Sequence, residues 1–161
     1  MKLYHYLFFL GLIAFMTSCE DEDICIDQTT PQLVMNLHKV SQATLMDSVI
    51  IYRENKSGKF DLITATPIKD TSDVITIKVP LPIDERNQVK FILGKRRYDP
   101  KYQDTLTVHY NTELHFVSKA CGFGVHYLNT QYSLSNHYYT TLITLQDEIT
   151  SEATPHIRLN Y

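Results

Sequence analysis

Gln88-Val89-Lys90-Phe91-Ile92-Leu93 is the stretch on which the fold turns. Val89, Phe91 and Leu93 fall on every second position, the spacing that puts side chains of an extended chain on one face. The same period recurs at Leu33, Met35 and Leu37 against Gln32, Val34 and Asn36, and at Ile75, Ile77 and Val79 against Val74, Thr76 and Lys78. Further strands are expected over residues 47–54, 59–65, 105–110, 114–118, 123–132, 139–145 and 156–161, and no convincing helical period remains. About nine or ten short strands with one dry and one wet face predict an all-β fold. The form expected is a two-sheet antiparallel β-sandwich, Ig-like or transthyretin-like.

Turns are written into the spaces between these runs. Asn55-Lys56-Ser57-Gly58 predicts a hairpin between the second and third strands, with glycine where a positive backbone angle is needed. Pro80 and Pro82 should end the strand before them, because proline cannot donate to a ladder. Asn111-Thr112-Glu113 reads as a three-residue loop that pairs Tyr110 with Leu114 and Val108 with Phe116 on one face. His109 and His115 then form a cross-strand pair on the other face, expected to be solvated or partner-facing. Zinc needs at least three protein ligands, so no metal site is expected there. His38, His126, His137 and His156 carry no assigned role.

Upstream of the strands, Phe15-Met16-Thr17-Ser18-Cys19 closes an apolar segment and Glu20-Asp21-Glu22-Asp23 follows at once. Lys2, an apolar core from Leu7 to Met16 and small residues at 17 and 18 have the order of a bacterial lipoprotein leader. Ten apolar residues are too few to cross ~30 Å of hydrocarbon at 1.5 Å per residue. The organisation expected is therefore a lipoprotein signal peptide over 1–18, an acidic tether over 19–30 and one β-sandwich domain over 31–161. Acyl chains, palmitate among them, on Cys19 would hold the domain on a membrane, since two chains anchor stably where one does not.

Composition supports a folded domain. The chain is 43% hydrophobic and 20% charged, as in a globule. Its formal charge of −3 becomes −4 once the leader's Lys2 is gone, which does not suit a nucleic-acid partner. With Cys19 spent on lipid, Cys25 and Cys121 remain as a pair and are expected to be oxidised outside the inner membrane. Closing the loop of about a hundred residues between them stabilises a fold by ~4–5 kcal/mol in the chain-entropy model.

Two aromatic stretches are candidates for contact. In the loop from Gly94 to Tyr102, Arg96, Arg97, Tyr98 and Tyr102 mix forked donors with stacking rings, suited to an acidic partner, a sugar or lipid headgroups. A solvated loop whose tyrosines cover a sandwich edge is the alternative. Tyr138-Tyr139, with Tyr127 and Tyr132 nearby, poses the same choice. For catalysis the carboxylates are dispersed, and no Gly-x-Ser-x-Gly, phosphate loop or His-Glu-x-x-His occurs. Gly122 and Gly124 read as backbone relief beside a disulfide or bulge rather than as a phosphate cradle. A non-enzyme without cofactors is expected.

The run Cys19 to Cys25, Thr30-Pro31-Gln32-Leu33-Val34, Val79-Pro80-Leu81-Pro82 and Ser118-Lys119-Ala120-Cys121-Gly122-Phe123-Gly124 together resemble a family of small Bacteroidota lipoproteins of unknown function. The resemblance spans nearly the whole chain. It implies a lipidated first cysteine, an acidic segment after it and two further cysteines, which Cys19, Cys25 and Cys121 reproduce. Met35-Asn36-Leu37-His38 stands where related chains often carry a basic or aromatic residue. In Bacteroidota an acidic run after the lipidated cysteine resembles a surface-export signal, so Glu20 to Asp23 imply an outer-membrane lipoprotein facing the cell surface, with a periplasmic domain on a solvated spacer as the alternative. The function expected is a binding or assembly module of the envelope with a protein partner; the alternative is a glycan- or small-ligand-binding surface lipoprotein.

Overall fold

The computed structural model describes residues 25, 30–40, 48–67, 73–95 and 100–161. Among them nine strands form two sheets. They are β1 (Leu33–His38), β2 (Ser48–Glu54), β3 (Phe60–Pro67), β4 (Val74–Val79), β5 (Gln88–Gly94), β6 (Gln103–Ser118), β7 (Gly122–Leu134), β8 (Thr141–Thr144) and β9 (Ile157–Asn160). The four-stranded sheet runs β4-β1-β9-β8 and the five-stranded sheet β3-β2-β5-β6-β7. All of these pairings are antiparallel except β1 with β9, where Met35 to His38 lie parallel to Ile157 to Asn160. The two-sheet all-β sandwich expected from the alternation is the fold found.

Period two sorts most of the core as predicted, although Val34, expected on the wet face of β1, is buried too. Leu33, Met35 and Leu37 of β1 and Val89, Phe91 and Leu93 of β5 are buried together with Val79, Leu106, Val108 and Leu159. Burying one such side chain fully contributes ~1.5–3 kcal/mol. Asn55 builds the predicted β2-β3 turn, because its Oδ1 accepts from the Ser57 and Lys59 amides while Gly58 takes a φ of 76°. β4 ends at Val79, immediately before Pro80.

The predicted loop at Asn111-Thr112-Glu113 does not form. β6 runs unbroken for 16 residues and turns only at residues 119–121, so Leu114 pairs with Val125 and Phe116 with Phe123. The reason is local. Residues 111–113 hold no glycine and none of them takes a left-handed backbone, whereas Gly122, beside the true turn, has a φ of 72°. His109 therefore faces Gln131, and His115 stacks on His126 with ring centroids 3.6 Å apart. Beyond residue 110, β6 no longer pairs with β5 and runs on with β7 as a two-stranded arm, exposed along most of residues 111–118, while Val125 and Tyr127 on β7 stay in the core.

β7 keeps its apolar side inward despite its length because of one irregularity. Asn129 adopts a φ of 52°, where the pairing register shifts between His109 and Asn111. Before that bulge Val125 and Tyr127 are buried, and after it Thr130 is buried and Tyr132 and Leu134 pack on the core, so the buried parity switches from odd to even. Cys25 and Cys121 are joined by a disulfide with Cα atoms 4.8 Å apart, fixing the N-terminal segment to the arm's tip. Thr30 adds a second tie, its Oγ1 accepting from the Val125 amide at 3.3 Å.

Candidate functional site

At the end of the sandwich opposite the arm, the start of β6, the segment after β7 and the last residue converge. Tyr102 ends the 3-10 turn Pro100–Tyr102 and meets Tyr138 edge to face, with centroids 5.8 Å apart. Tyr138 also contacts Tyr139 at 5.2 Å and lies nearly parallel to Tyr161 at 6.1 Å. Tyr139 and Tyr161 are buried and form the floor; Tyr102 and Tyr138 are half-buried and form the accessible layer. Such ring pairs add ~0.5–1.5 kcal/mol each beyond area burial and hold the cluster rigid. Lys95 Nζ and Lys101 Nζ stand 5.8 and 5.6 Å from the Tyr102 centroid, within cation–π range. Tyr102 and Tyr138-Tyr139, from two separate stretches of the sequence, thus share one platform, whereas Tyr127 packs edge to face on Tyr110 within the core.

A buried carboxylate positions it. Asp104 is 1% exposed, and its Oδ2 accepts from the Tyr138 and Tyr139 amides at 2.7 Å each. Its Oδ1 accepts from the His137 amide at 2.6 Å and from the Ser135 hydroxyl at 2.5 Å. Burial pushes the Asp104 pKa up, but the hydrogen bonds from His137, Ser135, Tyr139 and Tyr138 outweigh it and hold the carboxyl below its ordinary value. A lone buried charge would cost several kcal/mol; four donors make this one a clamp on residues 135–139.

Ser135, His137 and Asp104 have the composition of a nucleophilic triad but not its geometry. One ring nitrogen, His137 Nδ1, faces both Ser135 Oγ at 3.1 Å and Asp104 Oδ1 at 3.3 Å. A relay needs the carboxylate on one nitrogen and the hydroxyl on the other, and here the hydroxyl already donates to the carboxylate. The three side chains form the wall of an open hollow of about 320 Å³ with Ile92, Gln103 and Thr105. Among the described residues no three His, Cys, Asp or Glu side chains converge as a metal set.

Of the residues singled out in the sequence, Tyr102 sits in the platform, and Cys25 and Cys121 form the disulfide. Cys19, Arg96, Arg97 and Tyr98 lie outside the described residues. Sequence reading missed Asp104 and His156. Asp104 was readable, since it falls in phase with Leu106 and Val108 and an acid at a core-parity position needs partners. His156 is fully buried; its Nδ1 accepts from the Val34 amide at 2.9 Å and its own amide donates to the Val34 carbonyl. Burial lowers its pKa. No sequence signal separates it from the other histidines.

Fold and site define a disulfide-closed all-β sandwich domain with an aromatic, cation-flanked end. Residues 47–161 match the model of a family of unknown function (DUF6452), and the chain belongs to that family. No curated protein and no solved structure matches it. The matched residues start just before β2, although β1 lies inside the four-stranded sheet between β4 and β9.

Proposed function

We propose that the protein is a non-catalytic binding or assembly module of the cell envelope, held at the outer membrane by acyl chains on Cys19 and displayed at the cell surface. The observation that carries this reading is the separation of its two ends. The chain reaches the domain at the arm's tip through Cys25, while Tyr102, Tyr138 and Tyr161 cluster at the other end of β6. Sixteen residues of strand span ~50 Å at ~3.3 Å per residue, so a partner meets the platform clear of the anchor. Rigid tyrosines and two lysines suit a protein partner that brings acidic and ring-bearing side chains.

The test is photo-crosslinking from position 102 on intact cells, with lysed cells as control. A partner captured before lysis, and lost in Tyr138→Ala and in Lys95→Glu, supports the module. Equal capture by all three proteins would overturn it. The glycan- or small-ligand-binding alternative draws on the half-buried rings of Tyr102 and Tyr138, whose faces are what a sugar stacks on. It predicts a rise in Tm with a sulfated or uronic-acid oligosaccharide that Tyr102→Ala abolishes.

A further inference from the structure

The arm exposes a second apolar surface. Leu114, Phe116 and Phe123 are 72, 59 and 67% exposed. β6 keeps its parity through the arm, so Leu114 and Phe116 continue the face that Leu106 and Val108 present to the core. On β7, Phe123 pairs with Phe116 on that same face, their ring centroids 5.5 Å apart. Three large apolar side chains held on one rigid hairpin face mark an interaction surface rather than scattered exposure.

The chain's own length names the occupant. Cys121 and Phe123 are two residues apart, and Cys121 is bonded to Cys25. Cys25 follows Cys19 by six residues, which reach at most ~22 Å at ~3.6 Å per residue. A lipid on Cys19 therefore keeps the arm's tip within about that distance of the bilayer surface. Lys119, exposed in the turn, adds a cation at the level of the phosphates. We infer that Leu114, Phe116 and Phe123 seat in the interface of the bilayer that holds the anchor, giving the domain a second membrane attachment and a fixed standing orientation. This rests on the lipidation of Cys19. Apolar insertion of a few side chains is weak alone and effective beside acyl chains, as other two-signal anchors are.

Because the chain contains no tryptophan, single indole reporters are unambiguous. Full-length Phe116→Trp and Val74→Trp, made with the leader and reconstituted in phosphatidylethanolamine/phosphatidylglycerol vesicles, are compared with and without brominated lipid. Val74 starts β4 at the platform end, where it pairs with His38. Mass spectrometry of Cys19 is taken on the same samples. Acylated Cys19 with the Phe116→Trp reporter quenched several-fold more than the Val74→Trp reporter supports the inference. Acylated Cys19 with both reporters equally unquenched overturns the membrane contact and leaves the anchor standing. A blue-shifted, unquenched emission from Phe116→Trp in a particle of doubled mass also overturns it, and gives the face to a second copy. Unmodified Cys19 overturns the anchor itself, and the inference with it.

Discussion

Asp104 enters β6 in phase with Leu106 and Val108, so its carboxylate is carried to the side of the sheet that the apolar residues bury. Four hydrogen bonds keep it there charged, and two of them come from the amides of Tyr138 and Tyr139. Removing the carboxylate strands those amides, and each buried donor left alone costs ~1–3 kcal/mol. Asp104→Ala should therefore lose ~3–5 kcal/mol in chemical denaturation, and Asp104→Asn, which turns a donor toward one of those pairs of N–H groups, ~2–4 kcal/mol. A loss below ~1 kcal/mol in both would mean that the loop is held by its rings instead. The same substitutions should blunt any ligand response of the platform, because Tyr138 loses the bond that places it.

At the level of elements, alternation identifies the core strands because it is a property of the faces, and Leu33, Met35, Leu37, Val89, Phe91 and Leu93 all go where their parity sends them. The arm escapes a reading by composition for the opposite reason. Asn111-Thr112-Glu113 has the composition of a loop, yet the period at Leu106, Val108 and Tyr110 continues through Leu114 and Phe116, and a strand follows period over composition. The platform is half legible: tyrosines are visible in both stretches, but their meeting depends on the chain after β7 folding back over β6, which only tertiary packing decides. Backbone conformation offers a paired test. Gly122→Ala places a Cβ in open space but at a φ of 72°, so the cost is backbone strain of ~1 kcal/mol. Asn129→Gly relieves the same strain in the β7 bulge and should be neutral or stabilising by up to ~1 kcal/mol. Equilibrium unfolding of the two variants measures both, and a stabilised Gly122→Ala would refute the account of the turn. The disulfide acts on the same element. In Cys121→Ser, amide exchange should quicken along residues 111–118 and 122–126 while residues 104–108, packed in the core, keep their protection; uniform loss across β6 would show the bond to be holding the whole sandwich.

Over the whole molecule, the buried and partly buried titratable groups set a window of stability. His156, His126 and His38 all have their pKa lowered, in each case first by burial, with His115 acting further on His126 and Arg158 on His38. Below the ordinary histidine value of 6.5 the unfolded chain then binds more protons than the folded one, so their contribution is complete above pH 6.5 and is lost as pH falls from there. Asp104 and Asp84, held low by their hydrogen bonds, add a second loss as pH drops below 3.8. On the alkaline side, burial pushes Tyr110, Tyr127 and Tyr132 up to about 12, and raises Tyr139 and Tyr161 too. The unfolded chain gives up those protons from pH 10, so stability is intact below 10 and falls as pH rises toward 12. The expected curve of Tm against pH is a plateau between about 6.5 and 10 with a two-step acid limb. His156→Gln tests which residue starts that limb: it should lower the plateau, since glutamine replaces a buried ring bonded to Val34, and flatten the first acid step. A Tm that rises as pH is taken from about 6.5 down to about 5 in the parent protein would reverse the sign assigned to all three histidines.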